Sequence, residues 1–144
     1  MSLKDGTKKM SKSELSDFSR INLTDDKDLI ISKIKKAKTD PLPLPSDIEE
    51  LNKRPEARNL LGIYSSLTET SLEKSIQIFE KKNFSEFKDQ LSQVLVEKIE
   101  PISIEIKKLI NDKKYLDKVL FDGCQKASNI ASIKVKKLQE LIGF

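Results

Sequence analysis

The chain contains no histidine and no tryptophan, and it has one cysteine and four glycines among its 144 residues. Without histidine, the sequence offers neither acid–base catalysis by imidazole nor imidazole ligands for a metal. The single cysteine, Cys124, excludes an internal disulfide and provides no metal-ligand set. No apolar run approaches the roughly 20 residues that span a bilayer, and residues 1–20 lack the hydrophobic stretch of a signal peptide. We therefore expect a cytoplasmic protein with no membrane partner and no metal site of its own.

Charge and hydropathy indicate long amphipathic helices in preference to a thick globular interior. Hydrophobic residues make up 37% of the chain and charged residues 35%. The net charge of +4 is compatible with a polyanionic partner but does not require one.

Apolar residues recur at helical spacing from residue 29 onward, and no alternating strand–helix pattern predicts a doubly wound sheet. Six helices are expected: one after Thr24-Asp25-Asp26 that stops before Pro41, a short turn at 47–51, one from Pro55, one opened by a Thr70–Glu73 capping box, and two long ones at about 85–110 and 113–142. Alternating prolines at 41, 43 and 45 predict an extended connector. The apolar stripes of the two long helices favour an antiparallel bundle.

One pentapeptide, Lys9-Met10-Ser11-Lys12-Ser13, lies in an N-terminal stretch with no helical or strand periodicity. Two lysines separated by a linear side chain and flanked by small hydroxyls form a mobile cationic clamp. Such a clamp suits a triphosphate whose charge shifts towards a leaving pyrophosphate, because nucleotidyl transfer depends on positioning and charge neutralisation. The alternative is that Lys8, Lys9 and Lys12 are solvated charges on a disordered arm.

The pentapeptide and its flanks resemble the signature loop of class I aminoacyl-tRNA synthetases. The stretch 1–13 is similar to the corresponding segment of bacterial tryptophanyl-tRNA synthetases, and the resemblance continues through 21–26, 34–40 and 54–64. It implies that Lys12 is catalytic at the pyrophosphate end of ATP, with Lys9 as a supporting cation. It also implies that Met10, Ser11 and Ser13 shape the loop around the nucleotide, with Gly6 as a hinge. Gly6 and Glu14 depart from the family's usual Pro and Asp at those positions.

The same resemblance implies an all-α fold: an antiparallel helical bundle of the anticodon-binding type at 26–144, preceded by the tail of a catalytic domain at 1–25. Lys33, Lys35, Lys36 and Lys38 are candidate tRNA phosphate contacts, or else a solvated helix end. The family's Rossmann half, with its His-x-Gly-His motif and tryptophan pocket, is absent from these residues, so we expect a C-terminal portion beginning just before the loop.

The function that the resemblance implies is tryptophan–tRNA ligation: ATP-dependent formation of tryptophanyl-AMP and transfer to tRNA(Trp). ATP would be a substrate accompanied by Mg²⁺, and the complete enzyme would be a homodimer. This chain by itself is expected to be inactive. Two alternatives remain open: a non-catalytic helical module that binds tRNA or protein, and an inactive fragment of a split synthetase gene.

Overall fold

The computed structural model describes residues 1–143, which contain helices and no strand. The all-α prediction is confirmed. A single 3-10 turn at Asp17–Ser19 precedes six α-helices: α1 (Lys27–Lys35), α2 (Ile48–Asn52), α3 (Pro55–Thr68), α4 (Leu72–Phe79), α5 (Phe84–Asn111) and α6 (Lys113–Ile142). The chain divides into two compact units, Met1–Ile104 and a second that begins at Glu105. None of the helices in the described range combines the length and apolarity needed to cross a bilayer.

Side-chain caps explain where most helices begin. Asp26 accepts from the Leu29 amide at 2.9 Å, and Asp112 accepts from the Tyr115 amide at 3.0 Å. Each such cap satisfies an orphan amide and contributes about 1 kcal/mol. The Thr70 capping box is wrong by one residue, because Ser71 caps α4.

Helix α1 ends at Lys35, earlier than the predicted stop at Pro41. The Nζ atom of Lys88 on α5 donates to the carbonyl oxygens of Lys35 at 3.3 Å and Ala37 at 2.7 Å. These bonds satisfy carbonyls that a longer helix would have used internally. Burial lowers the pKa of Lys88.

The core of the first unit lies between the short helices and the first half of α5. Tyr64, Phe79 and Phe87 pack together, with ring centroids 4.7 Å apart for the two phenylalanines and 4.8 Å for Tyr64 and Phe79. Aliphatic side chains surround these rings; the fully buried ones include Ile30, Ile34, Leu51, Leu60, Leu61 and Leu91. This core anchors the N-terminal segment, because Leu3 belongs to it.

Helix α6 buries none of its residues in the described chain. The sequence predicts that the apolar stripes of the two long helices bury against each other or against another surface. In the described residues Leu120, Ile130 and Leu141 of α6 are exposed, and so is Ile110 of α5. Shorter helices complete the core of the first unit against the first half of α5. The predicted domain boundary at residue 25 stays a prediction.

Two glycines make a matched test of packing. A Cβ on Gly6 would lie 2.5 Å from the Pro55 carbonyl carbon, whereas a Cβ on Gly62 would meet nothing within 4 Å. A glycine in the middle of a helix suggests the close approach of another backbone, but that approach occurs at Gly6 and not at Gly62. We expect Gly6→Ala to destabilise the first unit by about 1–3 kcal/mol through overpacking. Gly62→Ala should stabilise it by about 0.5–1 kcal/mol, since alanine favours a helix interior. Denaturant unfolding measures both, and equal effects would contradict this packing.

Candidate functional site

The pentapeptide Lys9–Ser13, here called the signature loop, is an exposed irregular segment. Lys9 and Lys12 are exposed, and within residues 1–143 neither ammonium group forms an ion pair. Neighbouring Lys8, by contrast, lies 3.5 Å from the Asp5 carboxylate. The hydroxyls of Ser11 and Ser13 are 3.0 Å apart. The structure therefore presents two uncompensated cations on one short loop, as an anionic ligand requires.

The segment that leads into the loop is fixed on α3 and on Lys38, which follows α1. The Asn59 amide nitrogen donates to the carbonyl oxygens of Met1 at 3.3 Å and Ser2 at 3.1 Å. The backbone of Leu3 accepts from the Lys38 amide at 2.8 Å and donates to Ser19 O at 2.9 Å. These bonds tie both sides of the loop to the core, so its base is rigid while its tip is exposed.

Gly6 packs directly on the first residues of α3. Next to Gly6, the Glu56 carboxylate binds Lys38 Nζ at 2.8 Å. The Lys38 hydrogen bond lowers the pKa of Glu56, and Glu56 in turn raises the pKa of Lys38. The hinge predicted at Gly6 stays a prediction, but this packing gives a separate reason for glycine.

Arg54 holds the proline-rich connector in place. Its guanidinium binds both carboxylate oxygens of Asp40, at 2.6 and 3.0 Å, and donates to Pro43 O at 2.7 Å. Burial, the largest single influence, raises the pKa of Asp40, but the Arg54 hydrogen bonds, the Leu42 amide and the charge of Arg54 together leave that pKa below its ordinary value. Sequence reasoning found the connector but gave no role to Arg54.

The four lysines predicted to contact phosphate lie in different surroundings. Lys33 is fully buried, and its ammonium binds two carboxylates, so an external phosphate does not reach it in this structure. Lys35 has a 60% exposed side chain 3.7 Å from Asp89, and Lys38 is equally exposed. Lys36 lies 4.6 Å from the centroid of the Phe18 ring. Lys36 and Lys38 also lie beyond the end of α1, so the four do not form one helix-end cluster.

Lys33 is the centre of a buried polar cluster that also contains Asp17, Asn22 and Asp25. Its Nζ is 2.6 Å from Asp17 Oδ2 and 2.6 Å from Asp25 Oδ2. The Asn22 side-chain amide donates to both aspartates, at 2.9 and 3.2 Å. The hydrogen bond from Lys33, followed by that from Asn22, lowers the pKa of Asp17. The sequence carries a signal for this burial, because Lys33 lies on the same face of α1 as the buried Ile30 and Ile34.

Arg20 connects this buried cluster to the signature loop. One of its nitrogens, Nη1, donates to the carbonyl oxygens of Ser11 at 3.4 Å and Glu14 at 3.1 Å. Nη2 lies 3.0 Å from Asp17 Oδ1, and Nε donates to Asn22 Oδ1 at 3.2 Å. No sequence pattern singled out Arg20.

Comparison with known proteins places these features in a family. The chain is 50% identical over its whole length to the tryptophan–tRNA ligase of Mesorhizobium japonicum and 52% identical to that of Rickettsia felis. It covers 41% and 43% of these two proteins, so it spans about two fifths of the curated relatives that it matches.

A solved structure, the tryptophanyl-tRNA synthetase of Mycoplasma pneumoniae, matches the whole chain with a TM-score of 0.71 at 24% identity, over 43% of the solved chain. That likeness supports the fold alone. The family model described as tRNA synthetases class I (W and Y) matches residues 1–100, which include the signature loop and its anchoring segments. The chain therefore belongs to the class I tRNA synthetases of the tryptophan and tyrosine type.

Proposed function

We propose that this chain supplies the ATP-handling loop and an adjoining helical region of a tryptophan–tRNA ligase. The reaction is ATP-dependent activation of tryptophan to tryptophanyl-AMP, followed by transfer to tRNA(Trp). The observation that supports it most is the pair of ammonium groups on an exposed loop, Lys9 and Lys12, with the base of that loop anchored on α3 and on Lys38, which follows α1. Relatives about 50% identical carry the name tryptophan–tRNA ligase.

Within this proposal, Lys12 neutralises charge on the departing pyrophosphate and Lys9 assists it. Preorganised cations are worth most where charge develops in the transition state. Met10, Ser11 and Ser13 contact the nucleotide. Residues 1–143 contain no group of three acidic, histidine or cysteine side chains arranged to hold a metal, so Mg²⁺ would arrive with ATP as part of the substrate.

The tRNA contact is proposed for Lys35, Lys36 and Lys38. Phosphate recognition needs cations that solvent can reach, and the exposed side chains of Lys35 and Lys38 meet that need. Their existing carboxylate partners are surface ion pairs, which are weak and exchangeable. Assembly as a homodimer and a cytoplasmic location belong to the same proposal.

A chimera tests the proposed reaction. The 144 residues would replace the matching segment of the Rickettsia felis relative, which is 52% identical. We expect tryptophan-dependent ATP–pyrophosphate exchange within about tenfold of the parent enzyme, because the loop lysines and the anchoring residues are all present. The isolated chain should show no exchange, since it has no His-x-Gly-His motif or tryptophan pocket.

Two outcomes would contradict the proposal. A folded chimera with no exchange would favour the non-catalytic helical module. Exchange by the isolated chain would show that the assignment of the tryptophan pocket to residues outside this chain is wrong. The matched control is the parent enzyme with its own segment, prepared and assayed alongside the chimera.

A further inference from the structure

We propose that Arg20 is a positioning residue for the signature loop and that the Lys33 cluster, Asp17, Asn22, Asp25 and Lys33, holds Arg20 in place. This inference rests on the proposed function for its consequence in catalysis. Its structural part, the restraint of the loop, stands on the geometry of this chain alone.

Arg20 reaches the loop through backbone atoms. Its Nη1 lies 3.4 Å from Ser11 O and 3.1 Å from Glu14 O, so one nitrogen contacts carbonyls inside and just beyond the loop. Two other bonds hold the loop from within: the Ser11 and Ser13 hydroxyls are 3.0 Å apart, and the Glu14 amide donates to Ser11 O at 3.4 Å. The Arg20 contact and these two bonds therefore restrain the same turn.

The other two guanidinium nitrogens face the cluster. Nη2 lies 3.0 Å from Asp17 Oδ1, and Nε donates to Asn22 Oδ1 at 3.2 Å. The Arg20 side chain is only 18% exposed, so solvent competes little for these donors. Because the guanidinium is planar and rigid, fixing Nε and Nη2 also fixes the direction in which Nη1 donates.

The cluster is itself firmly held. Lys33 has no solvent exposure, and its ammonium lies 2.6 Å from both Asp17 and Asp25, whose side chain is 4% exposed. Asn22 bridges the two aspartates and adds a bond from its backbone amide to Asp25 at 2.9 Å. Hydrogen bonds of this length between two ionised groups are stronger than the longer bonds from Arg20 to the uncharged loop carbonyls.

Arg20 is held more strongly by the Lys33 cluster than it holds the signature loop. The loop is held by two longer bonds to an arginine that the core keeps in one orientation. The loop can therefore open without any change in the cluster, and it returns to the same donor when it closes. In enzymes whose loops close over substrate, opening for product release commonly sets the rate, so a restraint on the loop acts on kcat.

The structural part is tested on the 144-residue chain with a protease that cleaves after lysine. We expect Arg20→Ala to speed cleavage after Lys9 and Lys12 by about fivefold or more, because the loop spends more time open. Arg20→Lys keeps the charge but not the planar guanidinium, so its cleavage rate should lie between those of the wild type and Arg20→Ala. Arg58→Ala is the matched control, since Arg58 is an exposed arginine on α3 that bonds to Asn52 and not to the loop.

The proposal is overturned if Arg20→Ala is cleaved at the wild-type rate after Lys9 and Lys12. It is also overturned if cleavage after Lys33 and Lys88, which are both buried, rises in equal measure. That result would indicate general destabilisation in place of a loop-specific effect. Asp17→Asn offers a second variant, expected to loosen the loop less than Arg20→Ala because the arginine remains.

The catalytic part is tested in the chimera. Arg20→Ala is expected to lower kcat for ATP–pyrophosphate exchange by about tenfold with the KM for tryptophan unchanged, and Arg20→Lys to recover part of it. An inactive parent chimera would contradict the proposed function, while the cleavage rates would still decide whether Arg20 restrains the loop. A loosened loop with full kcat would overturn the role of Arg20 in the reaction.

Discussion

Replacing Lys12 by alanine in the chimera is expected to slow tryptophan-dependent ATP–pyrophosphate exchange by about a hundredfold or more. The ammonium of Lys12 is exposed and, within the described residues, free of ion pairs, so its charge is fully available to a phosphate. Removing one preorganised group that stabilises developing charge typically costs about a hundred- to a thousandfold in kcat. Single-turnover formation of tryptophanyl-AMP measures the step directly.

The affinity for tryptophan distinguishes a role of Lys12 in the transition state from a role in substrate binding or folding. We expect the dissociation constant of tryptophan to change less than about threefold in Lys12→Ala, because an interaction made only in the transition state leaves ground-state binding intact. Lys8→Ala is the matched control: Lys8 has the same charge in the same segment, but it lies outside the signature loop and pairs with Asp5. If Lys8→Ala and Lys12→Ala slow the exchange reaction equally, the effect of Lys12 comes from the net charge of the segment and not from a specific contact.

Local chemistry explains why the helices were predictable. Pro55 at the first position of α3, Asn83 before α5 and Asp112 before α6 each mark a boundary that the structure reproduces. These signals work within three or four residues, where backbone geometry determines which amides need a partner. The Thr70 box failed at the same scale, because Ser71 next to it offers an equivalent oxygen.

The surroundings of the loop were less predictable because they depend on distant residues. The sequence predicts Asp25 just before the first helix and Lys33 among four candidate phosphate contacts, yet the two side chains bind each other at 2.6 Å. The partner that completes the cluster, Asp17, comes from a 3-10 turn that no periodicity indicates. A lysine is almost never fully buried without paired charges, so the residue type alone predicts that Lys33 is exposed.

The position of Lys33 on the helix, in contrast, predicts that it is buried. It lies three residues after Ile30 and four before Ala37, on the face that enters the core. A lysine on that face requires nearby carboxylates, and Asp17 and Asp25, which lie between the signature loop and α1, provide them. The same reasoning could not find Arg20, because its loop contacts are to backbone carbonyls, which any sequence provides.

Lys33→Met is expected to destabilise the first unit by about 3–5 kcal/mol. Methionine fills much of the same volume, but it leaves the carboxylate of Asp25 buried, 4% exposed, without its cation. Asp17 suffers less, because its side chain is 45% exposed and water can solvate it. Lys35→Met is the matched control on the same helix; it removes the same charge from a 60% exposed side chain and should cost less than about 0.5 kcal/mol.

Tyrosine fluorescence provides a probe confined to the first unit. The chain has two tyrosines and no tryptophan, and Tyr64 packs on Phe79 in the core. With Tyr115→Phe in every variant, urea unfolding followed by the remaining tyrosine reports the stability of that core alone. A loss below about 1 kcal/mol for Lys33→Met would show that the cluster contributes little.

A second substitution distinguishes lost charge pairing from lost packing. If the cost of Lys33→Met comes from an unpaired buried carboxylate, adding Asp25→Asn should recover at least about 1 kcal/mol, because the amide keeps an acceptor for Asn22 and carries no charge. If the cost comes from packing, the double variant should be no more stable than Lys33→Met. The double variant restores the stability of the core but not the cation that holds Asp17. If it is as stable as expected and is still cleaved rapidly after Lys12, the ion pair between Lys33 and Asp17 is what orients Arg20.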